Sequence, residues 1–486
     1  MAEPARPASL PQDDRKHFLL LSVLSFLILF VPLHRGDLSG YDDAVYAHEA
    51  KEMIRTGDWW NVRFNGYLNF EYPPGFMWLE ALSMTLLGMS DFAAKVPAAL
   101  AGFGTIVVVY FLARELTEEP WIPRLAMWVL VSTQYFMRYA THAMTDVPFT
   151  FFFALAILFY VRGLRAERYL VLAGLPLACG LMTRSVIGLI PIAIIFAHIL
   201  ITRRYQIIFS RQLFLLLAIA FSLPVVWFAL EYRFYGMHFL QSHASFVLSK
   251  VHGADPSPAR NEILQLLEYP KFLLQRYWPW LPFMALGFYK QGRAAISRRD
   301  SSAVLLVLWV LLVVVPFSLA ETKVLRYILP AFPAFAILSA GVLNEWIPQR
   351  RKVQLFKALY ALGFVFVLYA AVFPMTLLRA TDMLTLAPVA EAHSAPQERV
   401  LLYTYGELDW SRRNQFVWYG NRYVELVTDL AEVESRLASG RNTVVVIDKE
   451  AAGRLRAALG DGQPEAITVL AQSENFVCLK YAAPAG

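Results

Sequence analysis

The sequence predicts an α-helical multi-pass membrane protein with a small α/β domain at its C-terminal end. Of the 486 residues, 57% are hydrophobic and only 17% are charged, whereas soluble domains carry about 25% charged residues. The chain also contains about eleven apolar stretches that approach the length a helix needs to cross a bilayer. From about residue 390 these stretches stop, and β-rich runs alternate with helical spacing.

The apolar stretches predict about 11 to 13 transmembrane helices. Eleven are placed over residues 18–33, 92–113, 121–139, 147–161, 169–182, 186–201, 213–230, 272–289, 303–320, 327–343 and 355–373. The first follows Arg15 and Lys16 and is not followed by a small-residue cleavage site, so we predict an uncleaved span with a cytoplasmic N-terminus. Residues 74–89 are apolar as well, and we predict an interfacial or re-entrant helix there.

The basic residues set the predicted orientation. The formal net charge is +6, but the Lys and Arg residues form short runs between apolar stretches. That pattern is typical of topology signals and differs from a nucleic-acid-binding stripe, so no nucleic acid partner is expected. With the dense basic runs in the cytoplasm, residues 36–90, 142–148 and 231–270 lie outside the cell membrane. An odd number of spans also places the C-terminal region outside.

The C-terminal region reads as a separate domain. Residues 400–405, 443–448, 466–471 and 476–481 predict strands, and residues 430–438 have helical spacing. We therefore predict a membrane domain over residues 1–385, with an outer loop over residues 36–90, and a soluble α/β domain over residues 390–486. Cys179 and Cys478 lack CxxC spacing and are expected to be unpaired thiols.

The first outer loop holds the residues with the strongest indication of chemistry. It begins with Gly40-Tyr41-Asp42-Asp43, just before a short amphipathic helix. Two adjacent carboxylates are costly unless a cation, a metal or a proton offsets them. Either carboxylate is suited to act as a general base, but Asp42 or Asp43 is also suited to cap the helix that follows. Spacing alone leaves both interpretations open.

The loop resembles the first outer loop of the lipid-linked-sugar glycosyltransferases of the GT-C class, above all the lipid A aminoarabinose transferases and the protein O-mannosyltransferases. The resemblance covers the membrane part of the chain, while the C-terminal domain matches weakly. It is carried by Tyr41-Asp42-Asp43 with Tyr46, Glu52-Met53, Gly57-Asp58-Trp59, Asn65-Gly66, Glu71-Tyr72-Pro73-Pro74, residues 92–97, residues 138–148 and residues 323–333. It implies a GT-C-like fold and a polyprenyl-phosphate-sugar donor.

The resemblance also implies roles for three acids. Asp42 matches the catalytic carboxylate of the family, and Asp43 replaces the Glu that usually follows it. Asp146 matches a second acid near the site, although the following Pro148 also suits Asp146 as a helix cap. Asp42, Asp43 and Asp146 are therefore the predicted catalytic residues.

Two departures from the aminoarabinose transferases concern the donor phosphate. Tyr72 stands where those enzymes have a Lys, and Val45 stands where they have an Arg. Other cations at predicted outer span ends are candidates to replace them, since Arg pairs well with phosphate, although snorkelling to lipid headgroups is the alternative role. The predicted donor-phosphate or substrate-binding residues are Glu71, Tyr72, Arg138, Arg184, Lys323, Arg326 and Tyr327.

A metal site is the least supported prediction. Glu71 and three outer histidines, His238, His243 and His252, offer ligands for a divalent metal, but their spacing matches no metal motif. No cofactor is therefore predicted with certainty, and a divalent metal stays open. The alternative is that these histidines lie in a solvated loop.

The predicted function is transfer of a sugar from a polyprenyl-phosphate donor to a lipid, glycan or protein acceptor at the outer face of the membrane. Two other classes stay open. A transporter or flippase for lipid-linked glycans shares the spans and the basic residues, but it favours ionisable residues within spans and inverted repeats, which are not apparent here. A non-catalytic membrane protein leaves the outer acids explained only as helix caps.

Overall fold

The computed structural model describes residues 12–252, 267–321, 323–372, 382–404, 410–439, 444–458 and 467–481. The chain divides into two compact units. Unit one is Met1–His34, Phe70–Phe76 and Lys95–Pro374, and unit two is Arg35–Asn69, Met77–Ala94 and Met375–Gly486. Most of the predicted outer loop therefore groups with the C-terminal region. The domain boundaries at residues 385 and 390 stay a prediction.

Helices dominate the described residues, as the sequence predicts. In chain order they are α1 (Gln12–Phe30), α2 (Asp42–Thr56), α3 (Gly75–Leu87), α4 (Asp91–Leu116), α5 (Trp121–Val131), α6 (Gln134–Ala140), α7 (Asp146–Gly163), α8 (Glu167–Leu172), α9 (Gly174–Arg184), α10 (Ile190–Ile201), α11 (Arg211–His252), α12 (Glu268–Arg276), α13 (Leu281–Arg298), α14 (Ser301–Leu319), α15 (Phe332–Trp346), α16 (Gln349–Val372), α17 (Asp382–His393), α18 (Trp410–Tyr419), α19 (Leu430–Ala438) and α20 (Lys449–Ala458). Three 3-10 turns accompany them, Ser185–Leu189, Tyr205–Ile207 and Leu325–Ala331.

Seven helical segments of the described chain are long and apolar enough to cross a membrane. They are Asp91–Leu116, Asp146–Gly163, Glu167–Ile201, Arg211–Lys250, Ser301–Leu319, Leu325–Trp346 and Gln349–Val372. The chain is a multi-pass membrane protein, but the eleven predicted spans do not appear as eleven long helices. Gly75–Leu87 and Trp121–Val131 are apolar but shorter. Gly75–Leu87 covers most of the stretch predicted as an interfacial or re-entrant helix.

Breaks in the helices explain the different count. The predicted spans 169–182 and 186–201 fall in one segment, Glu167–Ile201, which is interrupted at Ser185 with a φ of 50°. The predicted span 121–139 divides into α5 and α6, and 272–289 divides into α12 and α13. Hydropathy registers the apolar length of a segment but not the residue at which its backbone leaves the helical path.

The predicted outer loop over residues 231–270 is wrong in its described part. Helix α11 continues through Glu231 to His252, with one residue, Gly236, at non-helical angles (φ 58°, ψ −139°). Glycine adopts a positive φ without the steric cost that a Cβ imposes. His238 and His243 therefore lie on a helix. Residues 253–266 lie outside the described residues.

The helices of unit one pack around a large apolar core. Helix α15 packs against α5 and α13, and α9 packs against α7 and α11. The core is rich in buried aromatic side chains, and the Trp309 indole donates to the Pro330 carbonyl at 2.7 Å. The turn Leu325–Ala331 packs against α7. This packing brings the first residue of α7 and the turn together.

Unit two contains a five-stranded mixed sheet. Its strands are β3 (Val400–Tyr403), β4 (Val424–Val427), β5 (Val444–Asp448), β6 (Ile467–Gln472) and β7 (Phe476–Tyr481), in the spatial order β4-β3-β5-β7-β6. Strand β3 runs parallel to β4 and β5, whereas β7 runs antiparallel to β5 and β6. Apolar clusters cover both faces of the sheet. The predicted C-terminal α/β region is therefore present.

A short β-hairpin follows α2 in the chain. Strands β1 (Arg63–Phe64) and β2 (Tyr67–Leu68) pair antiparallel. The two residues between them, Asn65 and Gly66, have φ values of 52° and 83°, as an Asn-Gly type I′ hairpin turn requires. The Asn65 amide also bonds the backbone of Val424 on β4, donating at 2.9 Å and accepting at 2.8 Å. The hairpin is thereby fastened to the sheet of unit two.

Candidate active site

The paired acids of the first outer loop lie in the first turn of α2. The residue at the N-cap position is Tyr41, without a side-chain cap, so neither acid caps the helix. Negative charge near the N-terminus of a helix is favourable because of the helix dipole. Asp43 is buried, and its carboxylate accepts from the Ser39 amide and the Ser39 hydroxyl, both at 2.7 Å. Asp42 is more exposed.

A third acid of unit two, Glu80 on α3, is fully buried. Burial raises the pKa of its carboxyl well above the ordinary value, and the charges of Glu49 and Asp43 raise it further. Neither carboxyl oxygen has a hydrogen-bond partner among the described residues. This environment favours the protonated, neutral form of Glu80 beside Asp43. Sequence reasoning missed this residue because nothing in an apolar helix sequence indicates which face is buried against other acids.

Three charged residues of unit one meet in a buried cluster, which we call the guanidinium cluster: Asp146, Arg184 and Arg326. Asp146 begins α7 and Arg184 ends α9, and both side chains are buried. The Arg184 guanidinium donates to Asp146 Oδ1. Arg326 Nε lies 3.4 Å from Asp146 Oδ2, and its side chain keeps 26% exposure. Two positive charges thus face one negative charge.

Two tyrosines form the wall of the guanidinium cluster. The Tyr72 hydroxyl accepts from Arg184 Nη1 at 3.1 Å. The Arg184 guanidinium also lies over the Tyr72 and Tyr327 rings, 5.6 Å and 5.1 Å from their centres. Such cation–π contacts stabilise a guanidinium without neutralising it. A small cavity opens among these groups, lined also by Phe149, Ile187, Phe317 and Pro330.

The other predicted phosphate-binding residues are placed differently. Glu71 and Arg138 are exposed. Lys323 turns back to the end of α14, where its ammonium donates to the carbonyls of Ser318 and Ala320. Of the seven predicted donor-binding residues, Arg184 and Arg326 thus belong to the guanidinium cluster, and Tyr72 and Tyr327 contact it.

The described residues contain no group of three or more His, Cys, Asp or Glu side chains that could hold a metal ion. His243 is buried, and both of its ring nitrogens have hydrogen-bond partners: Ser185 Oγ at 2.8 Å and the Phe70 carbonyl at 2.7 Å. His238 is exposed. The side chain of His252 lies outside the described residues.

Residues 71–229 match the family model described as dolichyl-phosphate-mannose-protein mannosyltransferase. An undecaprenyl phosphate-alpha-4-amino-4-deoxy-L-arabinose arabinosyl transferase from Edwardsiella ictaluri is 29% identical over 334 residues, which cover 67% of this chain and 59% of the relative. The chain spans about three fifths of the length of the curated arabinosyl transferases it matches.

Solved structures match over nearly the whole chain. The crystal structure of ArnT from Cupriavidus metallidurans bound to undecaprenyl phosphate superposes with a TM-score of 0.77 at 18% identity, covering 96% of this chain and 98% of that one. An archaeal oligosaccharyltransferase, AglB from Archaeoglobus fulgidus, superposes with a TM-score of 0.58 at 14% identity, covering 91% and 70%. The chain has the GT-C fold. The resemblance stated from the sequence is thereby confirmed.

Within this GT-C fold, the matched family segment contains Tyr72, Asp146 and Arg184. Arg184 stood out in the sequence because the positive-inside rule does not favour an Arg at an outer span end.

Ser185 and Glu80 carry no comparable signal of function in the sequence. Cys179 and Cys478 are both free thiols, as their spacing predicted.

Proposed function

We propose that this protein is an inverting glycosyltransferase that takes a sugar from a polyprenyl-phosphate donor. The observation that carries the proposal is that two guanidinium groups, Arg184 and Arg326, converge on one small cavity beside Asp146. Paired guanidiniums are well suited to bind a phosphate, because Arg contacts phosphate oxygens in a bidentate manner.

Tyr72 replaces the Lys that the aminoarabinose transferases have at this position. We propose that it serves the phosphate indirectly, because its hydroxyl accepts from Arg184 at 3.1 Å and its ring lies under the guanidinium. Tyr327 supports the same guanidinium from a second ring. In this proposal the developing charge of the leaving phosphate is stabilised by groups that are already oriented.

Asp42 is the proposed general base. It takes a proton from the acceptor hydroxyl or amine while that atom attacks the anomeric carbon of the sugar. The bond from the anomeric carbon to the phosphate oxygen breaks on the opposite side, and the polyprenyl phosphate leaves with the electron pair. Attack opposite the leaving group inverts the anomeric configuration. Asp43 is proposed to hold the loop that enters α2, because its carboxylate is occupied by Ser39.

The acceptor is a lipid, a glycan or a protein at the outer face of a bacterial plasma membrane. We propose a cytoplasmic N-terminus and an extracytoplasmic C-terminal region, as the positive-inside rule indicates. Relatives named as arabinosyl transferases, and the ArnT structure with undecaprenyl phosphate, support this donor class. A flippase would move a lipid-linked sugar without consuming it, so donor consumption separates the two classes.

The test is a transfer assay with purified protein. Radiolabelled polyprenyl-phosphate sugars are offered with a panel of membrane-lipid and peptide acceptors, and the wild type is compared with Asp42→Asn. We expect acceptor-dependent donor consumption by the wild type and at least about a hundredfold loss in the variant, since a positioned acid or base contributes 10²–10⁴-fold.

The matched control is Asp58→Asn, in the same outer loop. The Asp58 carboxylate accepts from Trp60, Asn61 and the Asn61 side chain, so its role is local and an Asn retains an acceptor there. This variant is expected to keep wild-type activity. Intact donors across the panel would exclude the proposed transfer, and full activity of Asp42→Asn would exclude Asp42 as the base.

A further inference from the structure

Ser185 and His243 form a buried hydrogen-bonded pair beside the guanidinium cluster. Ser185 directly follows Arg184, where α9 ends. Ser185 Oγ lies 2.8 Å from His243 Nε2, and His243 Nδ1 lies 2.7 Å from the Phe70 carbonyl oxygen. A carbonyl only accepts, so Nδ1 carries the proton and donates to it. Nε2 therefore accepts from the Ser185 hydroxyl, and the orientation of the ring is defined at both nitrogens.

The backbone of Ser185 is unusual for a residue with a side chain. Its φ is 50° and its ψ is −124°, a region that glycine adopts freely and other residues avoid. Such outliers persist where the surrounding structure enforces them and are concentrated at functional sites. Since a glycine would suit the backbone here, the serine at this position indicates a use for its hydroxyl. The observed use is the hydrogen bond to His243.

These contacts close a ring around Arg184. The Phe70 carbonyl binds His243, His243 binds Ser185, and Ser185 is covalently joined to Arg184. Arg184 Nη1 donates to the Tyr72 hydroxyl at 3.1 Å, and Tyr72 is two residues from Phe70 along the chain. Every link in the ring is a covalent connection or a hydrogen bond between described residues. Moving one member therefore displaces Arg184 or Tyr72.

Helix α11 holds this ring from one side. Phe246 lies three residues after His243, on the same face of the helix, and packs edge-on against Tyr72 with 4.9 Å between ring centres. The His243 ring in turn contacts Phe228 and Phe239 at 5.2 Å and 5.9 Å. The aromatic packing restricts where the imidazole can go, so α11 determines where its two hydrogen bonds point.

We infer that Ser185 and His243 are positioning residues that hold Arg184 and Tyr72 in the geometry that binds the donor phosphate. The inference rests on the proposed function, because that function makes Arg184 a phosphate ligand. Neither positioning residue touches the donor. Their loss leaves the charge of the guanidinium cluster unchanged but frees the Arg184 side chain and the Tyr72 loop to move.

The test measures binding of undecaprenyl phosphate to the full-length protein in detergent, with uncharged undecaprenol as the reference lipid. His243→Phe keeps an aromatic ring but removes both hydrogen bonds, and we expect its affinity for the phosphate to fall about tenfold, as for a buried hydrogen-bonding group left without its partner. His243→Gln offers Ser185 an acceptor again and is expected to recover most of the affinity. In the transfer assay the KM for the donor rises and the KM for the acceptor does not.

Ser185→Gly separates positioning from folding. Glycine suits the positive φ, and this gain opposes the loss of the hydrogen bond to His243, so this variant is expected to stay closer to the thermal stability of the wild type than His243→Phe does. Its affinity for undecaprenyl phosphate is still expected to fall about tenfold, because the Nε2 atom of His243 loses its donor. A merely structural role for the serine predicts unchanged affinity instead.

The matched control is His198→Phe, elsewhere in unit one. His198 is also buried with both ring nitrogens bonded, to the Tyr160 hydroxyl at 2.7 Å and the Ser301 carbonyl at 3.0 Å. We expect it to lose stability but keep the affinity of the wild type.

The outcomes separate this inference from the proposed function. If the wild type does not bind undecaprenyl phosphate, the proposed donor class and the inference both fail. If the wild type binds and Arg184→Met binds weakly, while His243→Phe and Ser185→Gly bind like the wild type, the inference alone is overturned. An equal loss of affinity in His198→Phe also overturns it, since the effect would then follow from instability.

Discussion

Arg184 is held by three kinds of contact that differ in what they do to its charge. The ion pair with Asp146 offsets the charge, whereas the Tyr72 hydroxyl and the rings of Tyr72 and Tyr327 only stabilise it. Because Arg326 Nε also lies 3.4 Å from Asp146 Oδ2, the two guanidiniums share this carboxylate. A buried ion pair by itself is weak evidence for stability, and the proposed phosphate site is a second use for this arrangement.

His48 gives unit two a stability that depends on pH. Burial lowers the pKa of its imidazole well below the usual value, and the charges of Lys51 and Arg55 lower it further. Its Nε2 accepts from the backbone N–H of Asn65 at 3.2 Å, and only an unprotonated nitrogen can accept this hydrogen bond. Below about pH 6.5 the unfolded chain takes up a proton at His48 and the folded chain does not. The free energy of unfolding therefore falls as the pH drops below about 6.5, with a slope that approaches about 1.4 kcal/mol per pH unit until the pH reaches the lowered pKa of folded His48.

The measurement is thermal unfolding in detergent from pH 8 to pH 5, with His48→Gln as the comparison. The Gln side chain keeps an acceptor for the backbone N–H of Asn65 but does not titrate. We expect the two midpoints to run parallel above pH 7 and to separate below pH 6.5, with the wild type losing more. Parallel curves over the whole range would mean that folded His48 titrates normally.

Single residues show which positions a sequence can single out and which it cannot. Arg184 was predicted because a cation at an outer span end contradicts the usual charge bias. Ser185 was not, because a positive φ at a serine leaves no mark in the sequence. His243 was predicted as a metal ligand or a loop residue, whereas its two hydrogen bonds depend on which residues packing brings against α11.

At the level of elements, the strongly periodic segments were predicted best. The strand Phe476–Tyr481 and the helix Leu430–Ala438 have the predicted bounds. Strand β4 and helix α18 were missed: four residues are too few for a clear alternation, and α18 buries the polar residues Asn414 and Gln415 together with its apolar ones. These elements are defined by pairing with β3 and packing against α2, which are tertiary contacts.

Gly75 sets the distance between the start of α3 and the end of α9. A Cβ at Gly75 would lie 2.6 Å from the Met182 carbonyl oxygen, closer than real Cβ contacts come. We expect Gly75→Ala to lower the free energy of unfolding by about 1–3 kcal/mol, as other overpacked sites do. The same shift would displace Tyr72, three residues before Gly75, so the affinity for undecaprenyl phosphate is expected to fall as well.

Gly341→Ala is the matched control for Gly75→Ala. Gly341 lies inside α15, and a Cβ there would meet nothing within 4 Å. Alanine is favoured over glycine in a helix interior by about 0.5–1 kcal/mol, so this variant is expected to raise the unfolding midpoint slightly. Chemical unfolding in detergent, followed by tryptophan fluorescence, checks both variants. Equal stability of the two would show that the approach of Gly75 to Met182 is not tight.

For the whole molecule, the burial of each span indicates its place in the bundle. The segment Leu325–Trp346 is 89% buried within the protein, whereas Gln349–Val372 is only 22% buried. An exposed apolar helix is costly in water but not in lipid, which solvates apolar side chains. Arg326 of the guanidinium cluster and the adjacent Tyr327 lie at the start of Leu325–Trp346, the most buried of the seven segments. A central position lets the surrounding helices exclude water from a charged site.

Topology is the property of the whole molecule that follows most directly from charge. Helix α13 ends in a basic run that includes Arg298, and such runs stay in the cytoplasm. In a cysteine-free background made by replacing Cys179 and Cys478, we therefore expect Arg298→Cys to react with a membrane-impermeant maleimide only after the membrane is permeabilised. Glu450→Cys, on the exposed face of α20, is expected to react in intact spheroplasts.

Both positions are exposed in the structure, so a failure to react reports the side of the membrane and not burial of the cysteine. The positive-inside rule weighs all short basic loops together, and the two reporters lie far apart in the sequence. Opposite accessibility of the two cysteines is therefore expected from an odd number of crossings between them. Labelling of both from the same side would require an even number of crossings between them and would contradict the proposed topology.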